Sequence, residues 1–440
     1  MKYMTIACLL LAGGMAQTAS AEAIKVGNLY YDMTDLGLMV APAVSGEYSG
    51  EISIPGSVEI DGERVEVAGV ADYAFFDSQL VTSVEMASGP FYIGRAAFGG
   101  CNGMMRAAFP ETLVTIGDEA LWGCASLTDI SGDENVTTMG SGVFRDCRSL
   151  EKYALPGYLM EVPEAMFDGC RALRRVELGP QVWRIGELAF NGCVDLENPE
   201  MPPMLEEIGD RAFSGCASMT SLEMPESLMK LGVYAFSDCS SLTTLKLSEG
   251  LVSLPEGVFS HTAVNRFAAP REMVEIGLGS FAGCDELEEI MLDGMLEKVD
   301  RRGFAGCTAL RDVKVNNTLP PVIEISTFDE SVYGSATLYV PYGCAMIYAQ
   351  SPNWERFKRI VETDDFTLTS GVARAVAEAD VRLYGRRLYI EGAGDSEWRV
   401  YDVGGMVVGS GRGRGALTLD EAGAYVVAVR GSRPKKIAVR

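Results

Sequence analysis

Phe213-Ser-Gly-Cys216-Ala-Ser-Met219-Thr-Ser-Leu222-Glu-Met224-Pro225-Glu-Ser-Leu228-Met-Lys-Leu231-Gly232-Val-Tyr-Ala235-Phe236 begins and ends on the same aromatic position, 23 residues apart. The position recurs at Phe75, Phe98, Leu121, Phe144, Phe167, Phe190, Phe213, Phe236, Phe259, Phe281, Phe304 and Phe328, always 23 residues on except for 22 before Phe281 and 24 before Phe328. A fixed period of this length is the signature of a solenoid, in which each unit buries its apolar side only by stacking on the next.

With the aromatic position as zero, a small residue follows at +3 and aliphatic residues at +6, +9, +11, +15 and +18. Gly or Pro recurs at +19, as at Gly117, Pro163, Gly209, Gly232 and Pro255, and turns the chain after each apolar run. Leu245-Lys246-Leu247 alternates apolar and polar with the period of a strand. The expected fold is a β-rich solenoid of about twelve 23-residue coils, followed by a small C-terminal β-sandwich.

The pattern A-F-x-G/D-C-x-x-L-x-x-(I/L)-x-(L/M)-P-x-x-L-x-x-(I/L)-G resembles the BspA-like, or Treponema pallidum-type, leucine-rich repeats of bacterial surface proteins. The resemblance covers roughly residues 67–345. It implies adhesion to host or neighbouring-cell macromolecules and no enzymatic activity. Leu121 departs from the Phe of the pattern, and Ser78 and Thr262 from its Cys.

Of eleven cysteines, nine (Cys101, Cys124, Cys147, Cys170, Cys193, Cys216, Cys239, Cys284 and Cys307) occupy the +3 position. Stacked neighbours would lie about 5 Å apart, but with parallel Cβ vectors, which disfavours disulfides. Ser and Thr fill the same position elsewhere, so the slot selects small size, and the expected state is a buried free thiol. No CxxC is present and His261 is the only histidine, which leaves no basis for a metal site. His261 is expected on a surface turn. No P-loop, dinucleotide fingerprint, HExxH or GxSxG stands out, so neither a cofactor nor an enzyme is expected. A net charge of −24 and a pI near 4.5 argue against nucleic acid as a partner.

Residues 1–21 read as a signal peptide, with Lys2, an apolar run from Ile6 to Ala12, and cleavage after Ala21. That places the chain outside the cell, with no later transmembrane segment. Residues 22–66 read as an N-terminal β cap with a hairpin turn at Asp61-Gly62, 67–328 as the solenoid, and 329–362 as its C-terminal cap. Short helices are expected at Ala345 to Gln350 and Trp354 to Val361. Residues 363–440 read as the β-sandwich. Its Trp398-Arg-Val-Tyr401-Asp402-Val-Gly404-Gly405 and closing Lys436-Ile437-Ala-Val-Arg440 resemble the C-terminal sorting domain of the type IX secretion system of Bacteroidetes. That resemblance implies export through this machinery and attachment at the outer surface.

Residues at +8 point away from the core on the strand, and this row reads Ser83, Arg106, Asp129, Lys152, Arg175, Asn198, Ser221, Thr244, Arg266, Glu289, Asp312. Arg106, Lys152, Arg175 and Arg266 are therefore the candidate ligand-binding residues, suited to an acidic protein or sulfated glycan. The alternative is a polar row that only solvates an exposed sheet. The expected partner is an extracellular protein, with glycan or nutrient capture and a structural surface layer as competing readings.

Overall fold

The computed structural model describes residues 23–44, 48–293, 295–368, 380–384, 386–391, 397–401, 407–412, 414–419, 422–429 and 435–439. The expected signal peptide lies outside them, as do Gly404 and Gly405 of the C-terminal motif. The chain divides into two units, Met1–Leu159 with Pro163–Leu173 and Met160–Val162 with Arg174–Arg440. The fold is a β-solenoid of about 13 turns of some 23 residues, with almost no helix.

Most coils contribute two short strands, not one. The first carries the +8 residue: Leu80–Met86, Arg106–Ala108 and Asp129–Ser131 pair in parallel, with Ser83, Arg106 and Asp129 in register. The second is only two residues long, as in Tyr92–Ile93, Thr115–Ile116 and Thr138–Met139, again parallel. The other unit repeats both ladders. Arg266–Ala268, Glu289–Leu292 and Asp312–Val315 form part of one, and Ser253–Leu254, Glu275–Ile276 and Lys298–Val299 part of the other. No first strand forms around Asn198, because Pro199 removes a ladder donor. The Asn198 side chain substitutes: its Oδ1 accepts from the backbone N–H groups of Thr220 at 2.8 Å and Ser221 at 3.1 Å.

The aromatic position sits inside a tight turn bracketed by two left-handed residues, at −2 and +2. The +2 residues include Asp77, Gly100, Asp146, Gly215, Asp238 and His261, with φ between 57° and 76°. Gly and Asp recur at +2 because they adopt this conformation at low cost. His261 is exposed on this turn, as read.

The aromatic rings stack from coil to coil. Phe213 and Phe236 have centroids 5.2 Å apart and planes 3° apart, and Phe281 and Phe304 are 5.4 Å apart. Tyr48 supplies a rung ahead of Phe75, 4.4 Å from it, while its hydroxyl donates to the Ala41 carbonyl at 2.7 Å.

The ladders extend into both segments read as caps. Ser49–Ile54 pairs in parallel with Leu80–Met86, and Thr337–Val340 and Arg359–Glu362 continue the first-strand ladder of the second unit. The hairpin Ser57–Ile60 to Glu63–Val70 turns at Asp61-Gly62, where φ is 52° and 82°. Ala345–Ala349 is helical, but the second expected helix is a single turn, Trp354–Arg356, followed by a strand. Trp354 is fully buried beside Phe328 and donates its indole N–H to the Pro321 carbonyl at 2.8 Å.

Beyond these, three strands (Asp380–Tyr384, Arg387–Glu391, Gly415–Thr418) and four strands (Val407–Arg412, Glu397–Tyr401, Gly423–Val429, Lys435–Val439) form two antiparallel sheets. Leu388, Ile390, Trp398, Val400, Tyr425 and Val427 join both in one core, a sandwich arrangement.

Candidate functional site

The first strand of each coil is three residues long in most coils, and its middle side chain enters the core. Lys152–Ala154, Arg175–Glu177 and Ser221–Glu223 each run exposed, buried, exposed. The alternation therefore delivers the +8 and +10 side chains to one outward face.

On that face the four candidate cations differ. Arg106 is exposed, with its Nε 3.4 Å from the Asp129 carboxylate one coil on. Arg175 is likewise exposed and lies 3.7 Å from Glu197. Lys152 is exposed and, among the described residues, forms no ion pair. Arg266 is half-buried, 3.6 Å from Glu289, whose side chain is only 2% exposed. Lys314 closes on the same carboxylate at 2.6 Å and donates to the Thr367 carbonyl. The row thus offers one unpaired ammonium and two exposed guanidiniums that an anionic ligand must take from their carboxylates. Arg266 belongs to a buried charge cluster.

A second outward surface follows the two-residue strands, and the sequence reading missed it. The +17 side chains form a ladder of opposite charges. Arg184 lies 3.3 Å from Glu161 and 3.8 Å from Glu207, and Lys230 lies 2.9 Å from Glu207. Beside them the +16 residues, Glu206 excepted, are apolar and open to solvent: Met160, Trp183, Met229 and Val252 are 57%, 38%, 67% and 52% exposed. The first unit has Phe91 and Val114 at the same position. The signal was present as apolar residues at +16, but the buried residues at +15 and +18 masked it.

The +3 thiols are buried and free among the described residues. Size is not their whole role. The Cys101 and Cys124 thiols donate to the carbonyls of Phe75 and Phe98, one coil back, at 3.1 and 3.2 Å. Cys216, Cys239 and Cys307 do the same to Phe190, Phe213 and Phe281, each at 3.2 Å. Thr262 donates instead to the carbonyl of Phe259 in its own coil, at 2.9 Å. Burial pushes the thiols of Cys101 and Cys239 up to about 12. Such thiols are neither nucleophiles nor metal ligands near neutral pH. No cluster of metal-ligating side chains occurs among the described residues, and no helix there is long and apolar enough to cross a membrane.

The sequence profile of the BspA type leucine rich repeat region (6 copies) matches residues 69–197 and 206–333. Comparison with curated protein sequences gives no match. Among solved structures, a leucine rich cell surface protein from Faecalibacterium prausnitzii is 24% identical, with 68% of this chain and 96% of that one covered and a TM-score of 0.45. A leucine-rich repeat protein from Bacteroides ovatus is 23% identical, covering 66% and 94%, with a TM-score of 0.46. The pneumococcal vaccine antigen PcpA is 14% identical, covering 79% and 100%, with a TM-score of 0.42.

Proposed function

The chain belongs to the BspA-type leucine-rich repeat family, and from that premise we propose that it is an exported cell-surface scaffold that binds a macromolecule, in the manner of an adhesin. The observation that carries this reading is the pair of outward rows repeated along the coils, one polar and one apolar beside paired charges. Exposed apolar side chains rimmed by charge are the composition of a protein-binding surface. An extended sheet of this kind spreads its contacts over many coils. In this reading the protein is a binder and not a catalyst. The signal-like start, residues 1–21, takes it out of the cytoplasm, and the C-terminal sheets act as the type IX sorting and attachment domain.

The test is a binding panel of extracellular-matrix proteins, mucin, sulfated and neutral glycans, and bacterial cells, at physiological salt. Saturable binding to a protein, lost when Arg106, Lys152 and Arg175 are reversed to Glu, assigns the strand face. Loss on changing Met160, Trp183 and Met229 to Ser assigns the apolar row. Self-association without binding to any panel member would replace the adhesin reading with a structural one.

A further inference from the structure

The turn edge of the second unit departs from the regular repeat around Gly257 and Gly279. A cleft of about 530 Å³ opens there, lined by residues of five consecutive coils, within the size range of small-ligand sites. Its origin lies at the −2 position, where the residues are Arg211, Tyr234, Gly257, Gly279 and Arg302, all left-handed with φ of 52° to 61°. Two successive glycines remove two side chains from this row, over about 10 Å of the stack. Tyr234 leans across the first: a Cβ on Gly257 would fall 2.1 Å from its ring. Over Gly279 the space stays open, with only the Ala282 Cβ, at 3.6 Å, near where a side chain would begin.

The walls mix hydrogen-bond donors and acceptors. The Tyr234 hydroxyl donates to Glu256 at 2.6 Å, and the Arg211 guanidinium lies over the Tyr234 ring, 5.5 Å from its centroid. Neither Arg211 nor Arg302 forms an ion pair among the described residues. Ser214 and Ser237 share a hydrogen bond of 2.9 Å, and His261 and Asp238 stand at the exposed rim. Two guanidiniums and two carboxylates, Glu256 and Asp238, line the cleft, so it has no strong preference for net charge. Planar charged groups, hydroxyls and an imidazole around a small apolar patch of Leu278 and the Tyr234 ring suit a ligand that donates and accepts many hydrogen bonds at once.

We propose that this cleft binds a sugar unit of a glycan, held by the hydrogen-bonding groups at its two walls over the open floor at Gly279. The inference rests on the binding-scaffold reading and gives it a ligand class, at a site separate from both strand rows.

The test uses the purified full-length chain and ligand-observed NMR with galactose, mannose, N-acetylglucosamine, glucuronic acid and N-acetylneuraminic acid, with sodium sulfate as the anion control. Ala282→Trp fills the cleft from a partly exposed turn, and Arg302→Gln removes one wall's guanidinium. Saturable binding of at least one sugar is expected, reduced at least about tenfold by Ala282→Trp and about fivefold by Arg302→Gln. An unchanged circular dichroism melt shows that each variant folds. Binding of acidic sugars alone, weakened by Arg302→Gln, supports the proposal and assigns their carboxylate to Arg302; binding of neutral sugars supports it through the hydroxyl contacts. Silence across all five sugars, a response to sulfate only, or sugar binding that both variants retain overturns it. Protein binding through the strand rows would survive that outcome, so the two readings fail separately.

Discussion

At the scale of single residues, the repeat is specified by slots with distinct physical demands. The +3 slot requires a small side chain that can donate to a carbonyl in the turn. Cysteine, serine and threonine meet both conditions, so Cys216→Ser should be tolerated better than Cys216→Ala, and Cys216→Leu should cost about 1–3 kcal/mol through overpacking. Thermal melts of the three variants rank them. Ser78 and Thr262 carried this information in the sequence, but small size was the obvious common factor, and only the turn geometry exposes the carbonyl partner.

The thiols also make a pH prediction. Burial raises Cys101 and Cys239 from the usual 9.0 to about 12. Up to about pH 8 both folded and unfolded thiols are protonated, so the stability is intact. Above that the unfolded thiols ionise first, and stability falls as pH rises towards about 12, by roughly 1.4 kcal/mol per pH unit per thiol. Melting temperatures measured from pH 8 to 11 should fall steeply, and Ser at both positions should make the curve shallower by their share, the other buried thiols of the ladder keeping theirs. At +2 the demand is on the backbone: Gly215, with φ 74°, has no close neighbour for a Cβ, yet Val there should cost about 1–2 kcal/mol. Gly215→Asp should cost less, because Asp77, Asp146 and Asp238 hold the same conformation.

At the scale of elements, the coil is a turn and two parallel strands, and its aromatic rung ties neighbouring coils together. Phe236 is fully buried between Phe213 and Phe259, so Phe236→Ala should cost about 3–5 kcal/mol and loosen the adjacent coils first. Hydrogen exchange should show that loss centred on residues 213–259. The first strand was legible because its residues alternate. The second was not: two residues, such as Glu207–Ile208, cannot display a period. The second expected helix failed for a related reason. Ile360 and Val361 were read as helical, but both pair with Thr337–Val340 as a strand, because an open ladder edge there offers hydrogen bonds.

At the scale of the whole molecule, the buried cluster of Arg266, Glu289 and Lys314 shows how tertiary structure overrides position in the repeat. Glu289 sits in the outward +8 row yet is 2% exposed, and Lys314 beside it 8%. Glu289→Ala should leave Lys314 buried and unpaired, at about 3–5 kcal/mol, whereas changing Glu289 and Lys314 together to Gln and Met should recover most of that loss. Chemical denaturation of both variants separates the two. The sorting role proposed for residues 363–440 carries a prediction on export: in a bacterium with type IX secretion, deleting them should retain the solenoid inside the outer membrane.

What the sequence determined is the solenoid, its coil length, the outward +8 row and the buried thiols, because each shows as a residue type recurring at a fixed interval. What only the tertiary structure decided is everything that depends on neighbours one coil away. Arg106 meets Asp129, Glu289 is sealed beneath Lys314, and Gly257 and Gly279 together open a cleft under Tyr234. Residues about 23 apart in sequence become contacts about 5 Å apart only once the ladder register is set.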